Sequence, residues 1–120
     1  MLSENLKILL ATSYAFVIKA QNFHWNVEGS DFPQYHAFFD AINNEVYENA
    51  IDRTAEYIRT LEAYTPGSIT RYAELSLIPD QLKIPRAELM FQELYRDNEI
   101  IIKHLNECYD ISEAAKQYGI

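Results

Sequence analysis

Apolar side chains recur at steps of three and four near the start of the chain. Leu6, Leu9, Leu10, Ser13, Phe16, Val17, Ala20, Phe23 and His24 fall on one stripe, the signature of a helix with one face turned to a core. The run predicts a first helix from about Glu4 to Val27, with Ser3 as its cap and Gly29 as its stop. His24 then lies on or beside the buried stripe. A second pattern follows Asp31: Tyr35, Phe39, Ile42 and Val46 keep the helical period, five residues separate Val46 from Ile51, and Ala55 and Ile58 resume it. It predicts a long helix from Phe32 or Pro33 to about Ala63, with Asp31 as N-cap and Pro33 in the first turn.

Thr65, Pro66, Gly67 and Ser68 break the pattern, and ITRYAELSLI is long enough for a short connecting helix before Pro79. A bundle in which two neighbouring helices run parallel requires such a crossover. Arg71 and Tyr72 on it are expected at a surface or interface. Pro85 and Arg86 open the last long helix, which should reach about Lys116 with Phe91, Leu94, Asn98, Ile101, Leu105, Cys108 and Ser112 as its stripe. Asn98 then becomes a buried polar contact that fixes register, and His104 falls off the stripe as an exposed residue. The expected architecture is all-α: three long helices and a short crossover helix in a single domain over residues 1–120.

Composition narrows the function classes. A chain of 120 residues that is 48% apolar can bury one core. The lone Cys108 excludes an internal disulfide and lies in an apolar helical pattern, which makes it an inert core thiol suited to a reducing cytoplasm. No apolar run approaches 18 residues and no secretory leader pattern opens the chain, so a soluble cytoplasmic protein without membrane partners is expected. A formal net charge of −8 offers little to DNA phosphates, and no direct DNA binding is expected. A glycine-rich phosphate loop, a nucleophile elbow and a Cys-X-X-Cys pair are all missing from the sequence.

Candidate chemistry is concentrated between Lys19 and Glu56. His36 and Asp40 lie one helical turn apart, as do Asp52 and Glu56, so each pair points two metal-ligand groups in one direction. Imidazole with carboxylate and no thiolate suits iron, zinc or manganese. Asp40 and Asp52 are twelve residues apart, about 18 Å along a helix. The two pairs cannot hold one ion within one chain. A two-fold interface would set His36 and Asp40 of one subunit against Asp52 and Glu56 of its mate. His24 taken alone reads as a hydrogen-bonded core histidine, and Glu45, Glu48 and Glu62 as a solvated face. The company of His36 and Asp40 turns His24 into a candidate ligand.

The fragments FHWNVEG, HAFFD, DRTAEYIRTL, YAELS and LYRDNEIIIKHL, in that order, resemble the Dps family, the miniferritins, from about Leu6 to Tyr118. The resemblance implies a ferritin-like bundle with an iron-oxidising (ferroxidase) centre between two subunits. By position, His24, His36 and Asp40 match the ligands of one subunit, Asp52 and Glu56 match those of its partner, and Trp25 matches an aromatic beside the site. Iron is the implied metal, taken up as Fe2+, oxidised by hydrogen peroxide or dioxygen, and stored as Fe3+ in a hollow homo-oligomer, by family habit of twelve subunits. An acidic surface facing a pore or cavity would gather Fe2+.

Two departures from the family pattern matter. Its carboxylates equivalent to Asp40 and Asp52 are separated by eleven positions, not twelve; eleven steps return a side chain to within about 20° of its starting direction, and twelve leave it about 120° away. A one-residue π-bulge would absorb the extra position; without one, Glu48, which shares a face with Asp52, would replace it. The family also has a fourth long helix after the LYRDNE helix, and the sequence ends at Ile120 before it. The alternative expectation is therefore a metal-binding or structural helical protein of Dps descent that forms no cage.

Overall fold

The computed structural model describes residues 1–29 and 31–115. Helix α1 spans Leu2–Asn26, α2 spans Phe32–Val46, a π-helical turn spans Tyr47–Ile51, and α3 spans Asp52–Thr60. Helix α4 covers Ile69–Leu75 and α5 covers Ala87–Ala115. Backbone angles stay right-handed helical through Val46 and Asp52, so α2, the π turn and α3 form one continuous rod. The all-α reading holds, and of the two alternatives for the extra residue between Asp40 and Asp52 the structure takes the π turn.

Helix ends follow burial more than capping chemistry. Leu2 is buried, and the helix starts around it with Met1 as N-cap, whose carbonyl accepts from the backbone and side-chain amides of Asn5. Ser3 therefore lies inside α1 and does not cap it. At the other end Val27 turns extended to bury its side chain, and its N–H donates to the Phe23 carbonyl. Gly29 follows at φ 118°, a conformation open chiefly to glycine. Pro33 sits in the first turn of α2, as its fixed φ favours. Asp31 occupies the N-cap position without a side-chain capping bond. Ser68 does cap α4, accepting from the Arg71 N–H.

Contacts fix the topology. Phe23 meets Phe39 while His24 meets His36, so α1 and α2 are antiparallel. Lys19 meets Asp97 and Asn5 meets His104, so α1 and α5 are antiparallel too. The α2–α3 rod and α5 thus run parallel, and α4 lies on the crossover that joins them. Tyr72 holds this crossover to α1: its ring stacks on Tyr14 at 4.8 Å and its hydroxyl donates to the Pro66 carbonyl. Leu6, Leu10, Ile51, Ile58 and Cys108 form one half of the core; Phe16, Phe23, Phe39, Met90 and Leu94 form the other.

On α5 the buried line runs through Met90, Leu94, Asp97, His104, Cys108 and Ser112. Asn98 and Leu105 are exposed, which corrects the predicted stripe by about one residue at those positions. His104 is buried and not exposed: its Nε2 donates to the Asn5 carbonyl at 2.8 Å, and Nδ1 lies 3.4 Å from Glu107. The cause is that α5 is apolar on two adjoining faces and only one packs on α1. The other, with Phe91 and Tyr95, walls an open trough of about 800 Å3 opposite Phe38, Ile42 and Val46 of α2, with Asn98 on its lining. Lys116 and Tyr118 lie outside the described residues. Among the described residues no helix is long and apolar enough to cross a membrane.

Candidate metal centre

Of the five predicted ligands, His24 and His36 come together between the end of α1 and the start of α2, with Asp40 one turn further along α2. The α1 stripe carries His24 one position past the fully buried Phe23, and α2 carries His36 and Asp40 either side of the fully buried Phe39. Packing of Phe23 against Phe39, with ring centroids 5.9 Å apart, therefore fixes the distance between the two histidines. Their imidazoles stack at 3.8 Å with planes 25° apart.

Each ring nitrogen Nδ1 lies 2.6 Å from the other residue's backbone carbonyl oxygen. A carbonyl can only accept, so both Nδ1 atoms carry the proton and donate. In a neutral imidazole the lone pair is then on Nε2. Both histidines are thus held in the tautomer that presents Nε2 to a metal, the arrangement in which a second hydrogen bond orients a metal-binding imidazole. His24 Nε2 stands 3.8 Å from Asp40 Oδ1, too far for a hydrogen bond, and the Asp40 carboxylate is half exposed. Trp25, next along α1, is exposed.

Asp52 and Glu56 lie on α3 and are exposed, as are Glu45 and Glu48. The π turn decides where Asp52 points. Phe39 and Ile51 are both buried against α1, and Asp40 and Asp52 follow them directly, so the two aspartates hold equivalent places on one side of the rod. Glu56 then lies one turn beyond Asp52, as Asp40 lies one turn beyond His36. Among the described residues of a single chain, no three His, Cys, Asp or Glu side chains gather around one point.

Two features escaped the sequence pattern. Lys19 is buried on α1 and pairs with Asp97 at 2.7 Å and with Glu93 at 3.5 Å, both from α5; Glu93 also accepts from Gln81. Asp97 Oδ1 is buried without a hydrogen-bond partner. A cation between Phe16 and Phe23 on an apolar stripe was the available signal. The second is Phe32, whose ring lies over His36 at 5.0 Å; its position four residues before a candidate ligand was the only hint.

The ferritin-like domain family matches residues 3–120 of the chain. A DNA protection during starvation protein of Helicobacter pylori is 30% identical over 118 residues, covering 97% of this chain and 78% of that protein. An uncharacterized low temperature-induced protein of Nostoc sp. is 33% identical over 104 residues, covering 86% of this chain and 58% of the relative. The chain thus spans little more than half the length of that relative. The crystal structure of the Dps protein of Vibrio cholerae O1, described as a member of a broad superfamily of ferritin-like diiron-carboxylate proteins, superposes with a TM-score of 0.94 at 25% identity, covering 98% of this chain and 74% of that one.

Proposed function

The chain belongs to the ferritin-like family, in its Dps branch, and from that premise we propose that it is a ferroxidase whose site is shared between two subunits. In this reading His24, His36 and Asp40 of one subunit face the partner subunit's Asp52 and the partner subunit's Glu56 across a two-fold axis. The observation that carries it is the reciprocal Nδ1–H donation between His24 and His36, which commits both Nε2 lone pairs to an incoming cation. The shared direction of Asp40 and Asp52 supports the partner half.

Fe2+ is the substrate. Carboxylate oxygens are hard ligands that stabilise Fe3+ more than Fe2+ and so favour oxidation, while few protein bonds leave positions for an oxidant. One hydrogen peroxide accepts one electron from each of two Fe2+ ions and leaves as two hydroxides; dioxygen is the alternative acceptor. The ferric product is stored within a homo-oligomer. Iron and peroxide are removed together, so DNA is protected without contact, in keeping with a net charge of −8.

Fe2+ added to the purified protein, with and without peroxide and with air excluded or admitted, tests the reading when absorbance and particle size are followed on one sample. Rapid oxidation with iron retained in a large particle is expected. Slow oxidation with a small particle would leave a metal-binding helical protein of Dps descent in its place.

A further inference from the structure

Phe32 is the first residue of α2 and stands one turn before His36. Its ring lies over the His36 imidazole with centroids 5.0 Å apart and planes 26° apart, while His24 stacks on His36 at 3.8 Å and 25°. Two near-parallel rings at those spacings would collide on one face of an imidazole, so they take opposite faces. His36 is the middle layer of a three-ring column.

Among the described residues Phe32 belongs to neither buried apolar cluster, and it is 39% exposed. Core packing therefore does not account for an aromatic residue there. His36 is half-buried, and its Nδ1–H bond to the His24 carbonyl fixes one edge of the ring but not its tilt. A flat ring on the solvent side supplies the missing restraint and keeps water off the imidazole face. We propose that Phe32 is a positioning residue for metal binding: it clamps His36 against His24 and so fixes the direction of the His36 Nε2 lone pair.

This rests on His36 being a ligand. It differs from simple apolar cover in requiring a planar side chain. Leucine at position 32 would cover a similar area yet leave the imidazole free to tilt, whereas tyrosine would keep the clamp.

The experiment compares wild type, F32L and F32Y as full chains. Co2+ serves as the probe, because its absorption reports binding without turnover, and the ring-proton NMR signals of His36 are recorded in metal-free protein. F32L should bind Co2+ about tenfold more weakly, the low end of the loss seen when residues that orient metal ligands are removed, with an unchanged Tm. Its His36 signals should lose the upfield shift imposed by the phenyl ring, and F32Y should match wild type in both respects. F32L that binds Co2+ like wild type would overturn the proposal and leave the ligand assignment standing. Wild type that takes up no Co2+ would overturn the ligand assignment and this proposal with it.

Discussion

Asp40 and Asp52 are twelve residues apart on one continuous helical rod and yet stand on the same side of it. An uninterrupted α-helix would set them about 120° apart. The π turn over Tyr47–Ile51 removes that mismatch and returns Ile51 and Ile58 to the core. The turn thereby sets the direction of the side chains that follow it, and π-bulges of this kind are frequent at functional sites.

Deleting Asn49, an exposed residue of the turn, should therefore be tolerated. The rod would become plain α-helix with an eleven-residue spacing and the same outward direction for Asp52. The expected result is retained Fe2+ oxidation and an unchanged or higher Tm, measured by peroxide-driven absorbance change and thermal circular dichroism. Loss of oxidation in a folded deletion variant would mean that the turn does more than set register.

Lys19 and Asp97 should carry much of the α1–α5 contact. Lys19→Met leaves Asp97 and Glu93 without their cation, and removing one member of a buried pair costs about 3–5 kcal/mol. Replacing both Lys19 and Asp97 by apolar residues, as in K19M/D97L, should recover most of that loss, because apolar side chains of similar volume often match a buried ion pair. Urea unfolding midpoints of the single and double variants decide the matter. Equal midpoints for the two would contradict it.

Cys108 is fully buried, and that burial, with the nearby Glu107 carboxylate, pushes its thiol from the ordinary value near 9 up to about 11. The native thiol should react with a disulfide reagent at pH 8 only at the rate at which the protein opens, and at once in denaturant. The sign of the stability effect follows. The folded state holds the proton between the two values, so the contribution of Cys108 is full below pH 9 and is lost as pH rises toward 11. A C108A comparison of Tm across that window isolates it.

His36→Ala with Asp40→Ala should abolish rapid iron oxidation while helix content stays near wild type. Far-ultraviolet circular dichroism and the oxidation trace on the same preparation provide the check. Rapid oxidation in that variant would remove both residues from the site.

Helix positions were legible because Leu6 to Phe23 carries one clean apolar stripe and Tyr35 to Ile58 another interrupted once, by the five-residue step before Ile51 that left room for the π turn. α5 was harder. Its apolar residues cover two faces, so periodicity alone could not tell whether Asp97 or Asn98, His104 or Leu105, turned inward. The candidate ligands were readable from spacing and resemblance, but the reciprocal His24–His36 bonds were not, since each needs a backbone carbonyl of the other helix that comes within reach only once Phe23 packs on Phe39. Lys19 was overlooked because a buried cation is improbable until its partners, seventy-odd residues away, are known.

Whether one site is built from two chains is tested most directly by complementation. H36A/D40A and D52A/E56A should each be inactive alone, since each lacks one half of every site. Co-expressed, they form mixed dimers in which one of the two sites is whole, and random pairing should restore roughly a quarter of wild-type oxidation. Recovery near that level supports a site shared across the two-fold interface. Co-assembled variants that stay inactive, or either variant active alone, would contradict it.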